Sequence, residues 1–139
     1  MPLEGQVRTH SPRILVVEDD QSVRRMLRFS LRSAGFEIFE VSTGAEALRT
    51  LQEDTPEAIV LDLGLPDGLG GRVLEWLRQS ETDPNGSEVW GIVSAQDQND
   101  VLRQYGPLGN HFLAKPFNPW ELVTRLQELM AARGNHQGG

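Results

Sequence analysis

Charged side chains follow three of the short apolar segments in this chain. Glu18 and Asp19 come directly after the first segment, Asp62 ends the third, and Lys115 comes after the fifth. Ser94 adds a hydroxyl group after the fourth. These groups suit phosphoryl transfer, because a carboxylate can attack a phosphoryl group while cations and hydrogen-bond donors stabilise the charge on its oxygens. The expected product is an aspartyl phosphate.

The three carboxylates predict a metal site. If Glu18, Asp19 and Asp62 lie within a few ångströms of one another, their charges repel, so the cluster needs a cation to stay ionised. A site of oxygen ligands without His or Cys favours a hard ion, and Mg²⁺ is the expected one. On the other side of the site, the ammonium of Lys115 can neutralise an incoming phosphoryl oxygen, and Ser94 can donate a hydrogen bond to the same group.

Five apolar segments predict the strands that position these residues. The strands are expected at residues 14–17, 36–41, 58–61, 89–93 and 111–114. Their strict alternation with helices predicts an α/β fold with a doubly wound parallel sheet, flanked by five helices. In the order 2-1-3-4-5 of flavodoxin-like folds, ligands bind at the carboxyl ends of strands one and three. That rule places Glu18, Asp19 and Asp62 in one pocket.

Five amphipathic patterns predict the helices. They are expected to begin at Asp20 or Gln21, after a cap at Ser42 or Thr43, after the Gly-rich turn 66–71, at Asp97, and at Asn118 or Pro119. Asp20 is interpreted as a helix cap and not as a ligand, since an acid before a helix satisfies free backbone N–H groups. Gly106 and Pro107 are expected to end the fourth helix.

The composition limits the compartment and the partners. The 139 residues suit one domain, predicted as a flexible leader 1–12, a domain 13–133 and a flexible tail 134–139. The chain has no Cys, which excludes disulfides and thiolate metal sites and fits a cytoplasmic location. A formal net charge of −7 argues against direct binding of nucleic acid. No apolar run approaches the roughly 20 residues that a membrane-spanning helix needs.

Four short motifs resemble the receiver domains of two-component response regulators. They are Val16-Val17-Glu18-Asp19, Leu61-Asp62-Leu63-Gly64-Leu65-Pro66, Ser94-Ala95 and Lys115-Pro116-Phe117. None is decisive alone, but four in this order at strand ends are specific. The likeness extends from about Arg13 to Arg133.

The resemblance implies a role for each residue of the acidic cluster. Asp62 would accept a phosphoryl group from a sensor histidine kinase or a phosphotransfer protein. Asp19, Asp62 and the backbone carbonyl of Gly64 would bind Mg²⁺ directly, and Glu18 would act through a metal-bound water. Lys115 would contact the phosphoryl group. Such a domain is a signalling switch that catalyses its own phosphorylation and dephosphorylation.

The resemblance also implies how the phosphorylated state is reported. Ser94 would be the hydroxyl residue of the switch and Phe112 its aromatic partner, and their coupled rotation would control a downstream effector domain or protein. The Lys115–Pro116 bond is expected to be cis. Gly64 and Gln96 occupy positions that tune the lifetime of the phosphate.

The segment 105–111 departs from the family pattern. Asn110 and His111 stand where acidic residues would support a homodimer through the fourth helix, fifth strand and fifth helix. Arg125 is still compatible with such a dimer, so that partner remains open. The sequence also leaves open whether the domain acts alone or belongs to a longer regulator.

The same residues could also have simpler structural roles or serve other functions. Ser94 could be an ordinary strand-end hydroxyl, and Phe112 could serve core packing. A phosphatase of the haloacid-dehalogenase type needs a second Asp two residues after the nucleophile, where this chain has Gly64. A nucleotide-binding domain would show a phosphate-binding loop after the first strand, and none is present. A receiver that has lost phosphorylation and serves as an interaction module is the remaining alternative.

Overall fold

Five strands form one parallel sheet in the computed structural model, which describes residues 11–81 and 89–138. The strands are β1 (Arg13–Val17), β2 (Glu37–Val41), β3 (Ala58–Asp62), β4 (Trp90–Ala95) and β5 (Phe112–Ala114). Their order across the sheet is β2-β1-β3-β4-β5, and every neighbouring pair is parallel. The predicted fold class and strand order are confirmed, including the position of β2 at an edge.

Five α-helices follow the strands. They are α1 (Gln21–Ser33), α2 (Gly44–Glu53), α3 (Gly70–Glu81), α4 (Gln98–Tyr105) and α5 (Pro119–Gly138). A short 3₁₀ turn, Gly109–His111, leads into β5. Across the two described ranges, none of the helices has the length and apolar character needed to cross a membrane.

The two faces of the sheet carry separate parts of the hydrophobic core. Successive side chains of a strand point to opposite faces. In β1, Ile14 and Val16 pack with side chains of α1 and α5, whereas Leu15 and Val17 pack with those of α2 and α3. Because helices cover both faces, the central strands consist of continuous apolar residues, which is why the sequence pattern identified them.

Helix caps lie next to the carboxyl edge of the sheet. The carboxylate of Asp20 accepts hydrogen bonds from the backbone N–H groups of Ser22 and Val23, which confirms its predicted role as the cap of α1. The hydroxyl of Thr43 caps α2 in the same way. Such caps satisfy donors that a helix leaves free at its first turn. They fix where each helix begins relative to the strand before it.

Several predicted boundaries are corrected by the structure. β4 continues through Ser94 to Ala95, because Asp62 and Ser94 are paired in the ladder between β3 and β4. His111 belongs to the 3₁₀ turn and not to β5, since its N–H donates to the carbonyl of Leu108. α3 begins at Gly70, inside the predicted turn. Phe36 precedes β2.

The ends of the predicted domain are only partly covered. Residues 1–10 of the predicted leader and residues 82–88 of the predicted polar loop lie outside the described ranges. α5 runs to Gly138, past the point at residue 134 where the sequence predicts a flexible tail. The limits 13–133 for the domain therefore stay a prediction.

Candidate functional site

The predicted acidic residues meet at the carboxyl edge of the sheet. Glu18 directly follows β1, and Asp62 is the last residue of β3, which pairs with β1. Carboxylate oxygens of Glu18, Asp19 and Asp62 all lie within 4.8 Å of one another. The fold thus brings together residues that are more than forty positions apart, at the place where doubly wound sheets bind their ligands.

Lys115 completes this cluster from the far side of the sheet. Its backbone N–H donates to the carbonyl of Ala95 at the end of β4, which holds the start of the β5–α5 loop. Its ammonium Nζ lies 2.7 Å from Oε1 of Glu18 and 3.3 Å from Oδ2 of Asp62. The sequence predicted Lys115 opposite the acids, but gave no sign of its close ion pair with Glu18.

The cluster is strongly coupled electrostatically. Glu18 is only 2% exposed, and this burial raises its pKa, while the hydrogen bond from Lys115 acts to lower it and the charge of Asp62 raises it. Burial acts to lower the pKa of Lys115, but the hydrogen bond to Glu18 and the charges of Asp62 and Glu18 outweigh it, so the pKa is raised. Lys115 therefore remains an ammonium at neutral pH. One ammonium facing three carboxyl groups leaves an excess of negative charge when all are ionised.

This donor set could hold a metal ion. Glu18, Asp19 and Asp62 offer only oxygen atoms, the ligand type that hard divalent cations prefer. Asp19 is exposed, and its carboxylate makes no ion pair with any other residue in the described ranges. A cation would relieve the repulsion that Lys115 only partly neutralises. The residues therefore fit a metal on the chemistry of their ligands.

Gly64 and Ser94 flank Asp62. The backbone N–H of Gly64 donates to Oδ1 of Asp62 at 3.0 Å, which orients the carboxylate. Ser94 is buried and stands opposite Asp62 in the ladder, while its hydroxyl makes a long hydrogen bond of 3.5 Å to the carbonyl of Leu61. Both residues are thus beside the predicted phosphoryl acceptor, and the metal contact of the Gly64 carbonyl stays a prediction.

Phe112 lies one strand further out, next to α4. Its half-buried side chain lines a groove of about 210 Å³, which is formed by Gln98, Asn99, Val101, Leu102 and residues 106–109. Its carbonyl accepts a hydrogen bond of 2.6 Å from Arg125, which also pairs with Glu121. The Lys115–Pro116 bond is cis, as predicted. The switch role of Phe112 stays a prediction.

One residue next to the site escaped the sequence reasoning. Nη1 of Arg24, in the first turns of α1, donates to the backbone carbonyl of Glu18 at 2.8 Å and to that of Asp19 at 3.0 Å. Helical side chains lean toward the N-terminus of their helix, so a long side chain at this position can reach back to the preceding loop. The only signal in the sequence is an arginine near the start of a predicted helix, and many surface arginines share that position.

A model of the response regulator receiver domain matches residues 14–127. This chain belongs to the response-regulator receiver domain family. The match spans the four predicted motifs and the five strands except Arg13, the first residue of β1. It supports the interpretation of these acids as those of a receiver domain.

Relatives and solved structures agree with this assignment. The receiver domain is 38% identical over 125 residues to the transcriptional regulatory protein PrrA of Mycobacterium tuberculosis, covering 90% of this chain and 52% of PrrA. It is 35% identical over 114 residues to the KDP operon transcriptional regulatory protein KdpE of Escherichia coli, covering 82% and 49%. The chain therefore spans about half the length of these relatives.

A solved structure shows the same fold. The CheY-like response regulator receiver domain protein of Methanospirillum hungatei superposes with a TM-score of 0.70 at 23% identity, covering 91% of this chain and 98% of that one. At this identity the likeness concerns the fold alone. It agrees with the strand order found here.

Proposed function

We propose that this receiver domain accepts a phosphoryl group on Asp62 in a Mg²⁺-dependent reaction and changes conformation to control an effector. The proposal depends above all on the contact of one ammonium, Lys115 Nζ, with both Glu18 and Asp62 inside a cluster of three carboxylates. No structural role requires three acids at the carboxyl edge of the sheet, since the repulsion between their charges opposes folding. The arrangement suits a site that receives positive charge and then a phosphoryl group.

Asp62 is the proposed nucleophile. An oxygen of its carboxylate attacks the phosphorus of a phosphohistidine on the donor protein. The phosphorus–nitrogen bond breaks, and the nitrogen keeps the electron pair and takes up a proton. Because the N–H of Gly64 holds Oδ1 at 3.0 Å, the carboxylate is oriented before the donor arrives.

Lys115 and Ser94 are proposed to stabilise the transferred group. Lys115 is 13% exposed and its ammonium is 3.3 Å from Oδ2 of Asp62, so it can move from the carboxylates to a phosphoryl oxygen without leaving the site. Ser94 makes only a weak bond of 3.5 Å to the carbonyl of Leu61. Its hydroxyl can therefore rotate to donate to the new phosphate at little cost.

Mg²⁺ is the proposed cofactor. Asp19, Asp62 and the carbonyl of Gly64 would hold it directly, and Glu18 would hold it through water. When bound, the ion supplies positive charge that offsets the carboxylates and the phosphoryl oxygens.

The output is proposed to run from Ser94 to Phe112 and the neighbouring α4. Rotation of Ser94 toward the phosphate would free space beside β5, and Phe112 would turn inward from the groove that it lines with α4. A downstream effector, or a second copy of the chain, would read the changed surface of α4, β5 and α5. Because PrrA and KdpE are named as transcriptional regulators, we propose control of transcription in the cytoplasm by an effector, with a sensor histidine kinase as the donor.

Mass spectrometry of the intact protein tests the proposal. The wild type, Asp62→Asn and Asp100→Asn are each incubated with acetyl phosphate, with Mg²⁺ or with EDTA, and their masses are followed over time. Asp100 lies on α4 and pairs with Arg103, so its substitution is a matched control away from the site. The wild type and Asp100→Asn should each gain one labile phosphate from acetyl phosphate when Mg²⁺ is present and none in EDTA. Asp62→Asn should gain none in either condition.

Each alternative gives a different result. If Asp62→Asn still gains a phosphate, the acceptor is a residue other than Asp62. A folded wild type that gains no phosphate from acetyl phosphate or from a phosphorylated kinase would support the interaction module without phosphorylation.

A further inference from the structure

The loop between β1 and α1 carries two of the three acids of the site, and hydrogen bonds hold its backbone in place. The N–H of Glu18 donates to the carbonyl of Val41 at 3.1 Å. The N–H of Asp20 donates to Oε2 of Glu18 at 3.2 Å, and the carboxylate of Asp20 caps α1. The carbonyls of Glu18 and Asp19 both accept from Arg24.

The position of Asp19 depends on these carbonyls. Its side chain is exposed, and no ion pair with another residue in the described ranges anchors its carboxylate. The direction of the carboxylate is therefore set by the backbone. The two carbonyls that Arg24 holds belong to the two peptide groups on either side of the Asp19 α-carbon, so one guanidinium fixes both peptide planes.

Arg24 is itself held in place. Its Nε lies 3.7 Å from Oε1 of Glu40 on β2, and its side chain is only 21% exposed. Glu40 also pairs with Arg28. A planar guanidinium keeps its donors in a fixed geometry, which suits it to hold two carbonyls at 2.8 and 3.0 Å with one nitrogen.

We infer that Arg24 is a positioning residue for the metal site: it clamps the two peptide groups around Asp19 and so sets the carboxylate for Mg²⁺. This inference rests on the proposed function, because it assumes that Asp19 binds the ion. In this role Arg24 binds the backbone of the metal-ligand loop and is neither a ligand of the ion nor a catalytic residue.

The sign of the effect separates positioning from simple charge. Removing a nearby positive charge should tighten the binding of a cation, because one source of repulsion is lost. Removing a clamp should weaken it, because Asp19 must then be ordered when the ion binds. Arg25, exposed and next to Arg24 on α1, carries the same charge without contacting the loop carbonyls, so it provides the matched control.

Isothermal titration calorimetry with MgCl₂ tests the inference on the full chain. Arg24→Ala should bind Mg²⁺ about tenfold more weakly than the wild type, as is common when a residue that orients metal ligands is lost. Arg25→Ala should change the affinity less than about twofold or tighten it. Arg24→Lys keeps the charge and a donor for one carbonyl, so it should recover part of the loss. Thermal unfolding in EDTA establishes that each variant is folded.

The outcomes distinguish this inference from the proposed function. If Arg24→Ala binds Mg²⁺ as tightly as the wild type or more tightly, the positioning role is wrong while the receiver mechanism stands. If Arg24→Ala does not fold, Arg24→Lys is compared with Arg25→Lys, and equal affinities likewise refute the role. If the wild type binds no Mg²⁺, both the inference and the metal dependence of the proposed function are refuted.

Discussion

Replacing Lys115 by Met should destabilise the metal-free domain by about 3 kcal/mol at neutral pH, near the lower end of the cost of breaking a buried ion pair. The side chains of Lys115, Glu18 and Asp62 are 13%, 3% and 8% exposed, so the substitution leaves two shielded carboxylates without their shared cation. The lower end applies because the cluster lies at an edge of the sheet that water can reach. For a domain of this size, 3 kcal/mol corresponds to a melting temperature about 10 °C lower.

Magnesium should reverse much of this loss. Without the competing ammonium, Mg²⁺ meets a more negative site, so it should stabilise Lys115→Met more than it stabilises the wild type. Chemical unfolding by urea, with EDTA and with saturating MgCl₂, measures the four free energies of unfolding. The control is Arg103→Met, which breaks an exposed pair with Asp100 and should cost less than about 1 kcal/mol in either condition.

A double-mutant cycle with Glu18→Gln assigns the loss to the ion pair. The pair of substitutions should cost less than the sum of the two single changes, because removing one partner already removes the interaction. If Lys115→Met is as stable as the wild type in EDTA, or if Mg²⁺ stabilises the two proteins equally, the account of Lys115 as the cation that offsets the buried acids is wrong.

Two further predictions concern other parts of the fold. The hydrogen bond from Arg28 holds the pKa of Glu40 below its ordinary value, so Glu40 contributes stability at neutral pH that is lost as the pH falls through that lowered pKa. Urea unfolding should therefore show Glu40→Gln less stable than the wild type at a pH of about 7, with the difference shrinking as the pH falls through the lowered pKa of Glu40; a constant difference would contradict this. Gly70→Ala should cost about 1–3 kcal/mol, because a Cβ would lie 2.5 Å from the backbone carbonyl oxygen of Leu63. Gly64→Ala, whose Cβ would have ordinary 3.6 Å contact with Asp62, should change stability far less, and equal losses in thermal melts would refute the packing argument.

The sequence revealed those features that depend on local pattern. The run Ile14–Val17 identified a strand buried on both faces, and the acids that follow β1 and end β3 were correctly expected to lie together, because parallel strands share a carboxyl edge. The match to the family bears out this reading of the motifs. The roles of Asp62, Ser94 and Lys115 in phosphoryl transfer remain predictions for the experiments above.

The features that the sequence missed depend on contacts between distant elements. The ion pair of Lys115 with Glu18 joins a residue after the last strand to one after the first strand of the sequence. No periodic pattern in the sequence indicates such a contact. Asp67, in the loop after β3, accepts hydrogen bonds from the N–H groups of Gly44 and Ala45 at the start of α2. His111, expected in β5, lies in the 3₁₀ turn before it, and its Nδ1 makes a hydrogen bond with the distant carbonyl of Gly91.

The strand order has a consequence for how the domain forms during synthesis. After β3, each strand lies beside the strand made just before it, so β4 and β5 extend the sheet in one direction. Glu18 and Asp62 meet as soon as β1 and β3 pair, but Lys115 follows the last strand to be added. Until Lys115 has been synthesised, the chain carries the acids of the site without the ammonium that offsets their charge.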